Sequence, residues 1–155
     1  MTKTIFISII FLGFFISGYA GQEEQAGLES HLTGEHRFGV QFIWDGYGSC
    51  SIEKEAGVLK ITGSQFSKDK QDYVSIAGTV KIINRREFIV TGSLKTNIKS
   101  CCGKVEKSGS FRFKRWGSRQ FWRLQNPERE DFCDKYTCHY YIDIFVPLLQ
   151  KKTRM

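Results

Sequence analysis

From residue 38 onward, apolar residues recur at every second position, and this alternation constrains the fold more than any other feature. A period of two sends successive side chains to opposite faces of an extended strand, so one face can be buried and the other wetted. Phe38, Val40, Phe42 and Trp44 form one such set, and Val74, Ile76, Val80 and Ile82 a second. Phe88, Val90, Leu94 and Ile98 form a third, and Tyr140, Ile142, Ile144 and Val146 close the series. No window holds a helical period over three turns. The pattern predicts strands at 38–44, 49–54, 58–64, 73–83, 87–98, 109–115, 120–125 and 139–146. Most connections are short, which favours antiparallel neighbours in a meander. The expected fold is therefore all-β, an antiparallel meander of about eight strands closing a small barrel; a two-sheet β-sandwich is the alternative.

A short repeat lies inside this pattern: LKITG at 59–63, VSIAG at 74–78 and FIVTG at 88–92. Each unit ends on a glycine inside a longer strand. Glycine there gives up packing, so it marks a bend or a close approach of backbone. Bends of this kind let long strands curl around a core.

The segment before the strands reads differently. Lys3 precedes an apolar run from Ile5 to Ile16, and Gly18 and Ala20 supply the small residues a signal peptidase reads. The run is too short for a membrane span, which needs roughly 20 residues. Residues 1–20 are thus expected to be a cleaved signal peptide, 21–36 a polar and flexible leader, 37–147 a single β domain, and 148–155 a basic tail. Cleavage near Ala20 implies a secreted or periplasmic protein with no transmembrane segment in its mature chain. It also removes one lysine and no acid, lowering the formal charge from +7 to +6.

Export brings an oxidising environment, in which cysteines form bridges. Cys50, Cys101, Cys102, Cys133 and Cys138 are the candidates, and an odd count leaves one free or paired with another chain. In a meander the connections 45–48, 65–72, 99–108 and 126–138 fall at one end, and 55–57, 84–86 and 116–119 at the other. The first set is longer and carries or adjoins all five cysteines, so bridges between its loops are geometrically open. Metal binding is a weaker reading, because Cys133-x4-Cys138-His139 lacks a second ligand pair. No metal and no cofactor is expected.

Function on such scaffolds concentrates in long loops at one end. Trp44, Asp45 and Tyr47 stand there in the turn WDGYG, where an aromatic pair beside a carboxylate could stack on a sugar or an amide; the plainer reading puts Trp44 in the core. A second candidate is the hairpin FRFKRWGSRQFWRLQ. Between Lys95 and Arg123 there are nine basic residues and one acid, Glu106. Alternation buries Trp122 and Leu124 and turns Arg123 outward with Phe121. Arg112, Lys114, Arg119, Phe121 and Arg123 then form a cationic, aromatic patch suited to polyanions. The competing reading is a solvated strand face whose charges guard an edge. Asp143, between apolar neighbours, reads as a structural partner for Arg123 or another arginine.

Catalytic motifs are absent: there is no G-x-S-x-G, P-loop or dinucleotide fingerprint. Adjacent Cys138 and His139 on a strand point apart and cannot act together. The favoured expectation is an exported binding module for an anionic envelope or cell-surface component, a polymer or headgroup. The rivals are a secreted interaction protein or hydrolase inhibitor, with a protein partner at the cysteine-rich end, and a hydrolase with an unrecognised site. Nucleic acid is disfavoured by export.

Overall fold

A computed structural model describes residues 17–101, 103–125 and 141–147, with backbone alone for 17–24. Helix α1 (Ser17–Leu32) leads into eight strands: β1 (Gly34–Val40), β2 (Gly48–Glu55), β3 (Val58–Phe66), β4 (Tyr73–Asn84), β5 (Glu87–Ile98), β6 (Gly103–Lys114), β7 (Phe121–Gln125) and β8 (Ile142–Phe145). Each strand pairs antiparallel with the next, and β8 pairs with β1, closing the barrel. The fold is the meander barrel that the alternation predicts, and the sandwich is excluded.

Inward positions on every strand fill the barrel. Phe38, Phe88, Phe113, Leu94, Ile142 and Ile144 are fully buried. Phe88 and Phe113 stack at 5.3 Å between ring centroids, and Trp122 leans on Phe88 at 6.2 Å. Burying each such side chain contributes about 1.5–3 kcal/mol. Eight strands enclose just enough room for side chains of this size.

The repeat glycines allow the curl. Gly78 faces Gly92 across β4 and β5. A Cβ on Gly92 would lie 2.1 Å from the Ala77 carbonyl oxygen, and one on Gly78 would lie 2.5 Å from that of Thr91. Gly63 opposes Cys50, and a Cβ there would meet the Cys50 Cβ at 2.2 Å. Any larger residue would force these strands apart.

Three elements depart from expectation. The stretch read as a flexible leader is instead helix α1 followed by the start of β1. Leu28 and Leu32, four residues apart, are buried on one face of the helix. Thr33 closes the helix by donating from N–H and Oγ–H to the Glu29 carbonyl (2.9 and 2.8 Å), and Gly34 leaves it with φ of +122°. Two leucines are too few for a visible helical period, which is why the sequence hides the helix. Second, β1 runs 34–40 and not 38–44. Third, β6 begins at Gly103, since hydrogen bonding to the long β5 carries it through GKVEKS, where apolar alternation is weak. Residues 1–16, the expected basic tail at 148–155, and Cys102, Cys133, Cys138 and His139 lie outside the described residues.

Candidate functional site

The connections 41–47, 67–72 and 99–101 gather at one end of the barrel, and the turns 56–57, 85–86 and 115–120 at the other, as an up-and-down order demands. The first loop leaves β1 at Val40 and is held by a buried amide. Gln65 points inward from β3 and is 1% exposed. Its Oε1 accepts from Val40 N–H at 2.7 Å, while Nε2 donates to the carbonyls of Gly46 (2.7 Å) and Ile43 (3.3 Å). Gly39 has φ of +153°, and a Cβ there would overlap the Gln65 amide at 2.1 Å. Asp45 braces the loop from outside, accepting from Lys68 N–H at 2.9 Å with Lys68 Nζ at 3.7 Å. Asp45 therefore joins two loops. Trp44 is not in the core: the loop lifts it to 87% exposure.

Tyr47 leaves this loop toward the side wall formed by β7, β8 and β1. Register sets the wall's order. Phe145 lies between Phe121 and Arg37, and Asp143 between Arg123 and Gly39. Tyr47 meets Phe145 edge-on at 4.7 Å, and Phe145 meets Phe121 at 5.6 Å. The Arg37 guanidinium sits 4.6 Å over Phe145 and 5.8 Å from Tyr47. Arg123 lies 5.0 Å over Phe121 and 4.2 Å over Tyr141, and Arg119 caps Phe121 at 5.6 Å. The outer wall is thus a mosaic of arginines and rings, in which planar guanidinium groups lie on aromatic faces.

The charges on this wall are not equivalent. Arg123 makes two 2.8 Å hydrogen bonds to the buried Asp143 carboxylate, a bidentate pair that raises the arginine's pKa further. Arg112 is paired with Glu87. Lys114, across from Arg123, reaches over the Trp116 ring at 4.3 Å. Arg37 and Arg119 rest on rings, with no ion pair to a carboxylate among the described residues.

Tyr47 from the turn and Phe121 with Arg123 from the hairpin therefore share one face, joined by Phe145. Trp44 and Asp45 stay at the loop end. Arg37, Phe145 and Tyr141 are additions the sequence did not single out. Their outward phase is legible in the alternation, but their adjacency needs the β8–β1 closure. On the far wall, a shallow open groove of about 490 Å³ is lined by small side chains such as Ser51, Thr62, Ser75 and Ser93.

The cysteines need one correction. Cys50 is a free, buried thiol facing the interior, so it leaves the bridging set. Burial, with Glu35 nearby, pushes its pKa up to about 12. Cys101 is buried at the loop end and disulfide-bonded. No helix among the described residues is long and apolar enough to cross a membrane.

Comparison with known proteins finds similarity over most of the chain. An uncharacterized protein PM1083 of Pasteurella multocida (strain Pm70) is 33% identical over 130 residues, covering 79% of this chain and 78% of that protein. No solved structure matches. Residues 20–146 match the PM1083 family, a stretch that takes in every strand, and the chain belongs to that family.

Proposed function

We propose that this protein is an exported binding module that holds an anionic surface polymer or headgroup on the outer wall of β7, β8 and β1. One observation carries the reading: Arg37 and Arg119 lie on aromatic rings with no carboxylate to neutralise them among the described residues. A guanidinium over a ring and without an acidic partner keeps N–H groups for sulfate, phosphate or carboxylate oxygens. The surrounding rings offer faces for sugar or acyl groups. Export rests on the apolar run at 5–16 and the small residues at 18 and 20.

Arg112 and Arg123 are matched by Glu87 and Asp143, so the informative variant is Arg37→Ala with Arg119→Ala. Wild-type mature protein should be retained on heparin and on phosphatidylglycerol vesicles, with retention falling steeply as salt is added. The double variant should elute at lower salt, its salt slope reduced by about one to two counter-ions. Equal retention of a folded double variant refutes the reading.

A protein partner is the second reading, and Trp44 favours it. An indole at 87% exposure on a loop clamped by Gln65 is a pre-ordered apolar anchor. Capture through it would persist at high salt and be lost in Trp44→Ala.

A further inference from the structure

Where α1 meets the barrel, four buried nitrogen atoms have no hydrogen-bond partner among the described residues: His31 Nε2, His36 Nδ1, and Arg115 Nε and Nη1. Native interiors leave few polar atoms in this state, and each asks for an explanation. Two of these belong to a guanidinium that keeps its charge at any ordinary pH.

Arg115 and His31 flank Trp122. The Arg115 guanidinium lies 4.4 Å over the indole, and the His31 ring is 6.2 Å from it. His36 is 7% exposed on β1 and donates Nε2–H to the Leu32 carbonyl at 2.7 Å, which leaves Nδ1 uncommitted. Arg115 is held in place by its own N–H on the Arg86 carbonyl at 2.8 Å and by Nη2 toward that of Arg85 at 3.4 Å. Arg115 as a residue is partly exposed, so the cluster lies just beneath the surface beside the 115–120 turn.

The local charge is one-sided. Burial and Arg86 work against the charge on Arg115, and burial, Arg115 and His36 all work against protonation of His31. Glu29 of α1 is paired with Lys54 of β2 and Glu87 with Arg112, while Glu35, next to His36, lies on the opposite, outer face of β1. Water could satisfy the N–H groups but would leave the charge uncompensated, and a buried charge without a partner is costly.

We infer that the junction of α1 with the barrel is a binding site for a small oxyanion, a carboxylate or a phosphate, held by Arg115 with His31 and His36. Oxygens of the ligand accept from Arg115 Nε–H and Nη1–H. Burial, Arg115 and His36 all oppose a proton on His31, and an oxyanion placed among these groups offsets that opposition, so the anion brings a proton with it and binding strengthens as pH falls. Arg115 and Arg86 from the turns, His31 from α1 and His36 from β1 set that response. The site is separate from the arginine-bearing outer wall.

The test is thermal unfolding of the mature protein titrated with inorganic phosphate or acetate, against sodium chloride at matched ionic strength. Trp fluorescence provides a second readout. Wild type should show a saturable rise in melting temperature and a fluorescence change, both larger at pH 5.5 than at pH 7.5. Arg115→Gln should lose both, and His31→Gln, on the helix, should weaken them if the arginine variant does not fold. A phosphate response without an acetate response assigns a phosphate site, and responses to both assign a general oxyanion site. A wild type that follows the chloride control, or an Arg115→Gln protein that responds as wild type does, overturns the inference.

Discussion

Replacing Gln65 with leucine should destabilise the barrel by about 2–4 kcal/mol, and its effect should centre on the loop at 41–47. The side chains are similar in size, so packing changes little and the amide's hydrogen bonds dominate. Val40 N–H is fully buried and loses its 2.7 Å acceptor. An orphaned buried donor costs about 1–3 kcal/mol. The 2.7 Å bond to the Gly46 carbonyl is worth about 1 kcal/mol net, since that loop carbonyl can turn to water. For a domain of this size the sum lowers the melting temperature by roughly 6–12 °C. Far-UV circular dichroism measures that shift, and brief proteolysis mapped by mass spectrometry locates new cleavage near Trp44. Gly39→Ala displaces the same amide from the other side and should reproduce the cleavage pattern. A Gln65→Leu protein melting within ~2 °C of wild type, with no new cleavage between 41 and 47, would refute the view that this amide fixes the loop.

Three further outcomes follow from the same structure. Gly92→Ala should lose about 1–3 kcal/mol in urea denaturation through overpacking, whereas Gly27→Ala, exposed on α1 with open space around it, should gain about 0.5–1 kcal/mol. With a pKa of about 12 and no exposure to speak of, Cys50 should resist a thiol reagent in the native protein at pH 8 and react at once in guanidinium. His31 binds its proton less readily when folded, because of burial and of Arg115 and His36. Protonation therefore favours the unfolded chain, and stability should fall as pH drops from about 6.5 toward the lowered folded value; His31→Gln should flatten that part of a melting-temperature profile.

The central strands were legible because β4 and β5 are long and each buries one face, so alternation persists over many residues. The repeat glycines were legible as bends for the same reason. What the pattern could not convey were local exceptions set by partners far along the chain. Val40, Phe42 and Trp44 continue the alternation on paper, but Gln65 takes the Val40 N–H and turns the chain out of the sheet. GKVEKS lacks an apolar face and is still a strand, because β5 offers it hydrogen bonds. Among its described side chains, helix α1 buries two leucines, Leu28 and Leu32, and so leaves no period. At the wall, the outward phase of Phe121 and Arg123 was readable, while their union with Tyr47 and Arg37 depends on β8 lying between them. The free state of Cys50 comes from its inward phase opposite Gly63, which its place near the loop end disguised.

The pairing of β8 with β1 joins Arg37 to Phe145, 108 positions apart in the sequence. Such a contact offers nothing until a very long loop has been closed, so sealing the ring is expected to be the slow, late event in maturation. A polypeptide released short of Ile142 could form the hairpins from β2 to β6 yet would leave raw strand borders on β1 and β7, inviting intermolecular pairing. Four residues near the far end thereby decide whether the whole barrel exists as a monomer or a precipitate.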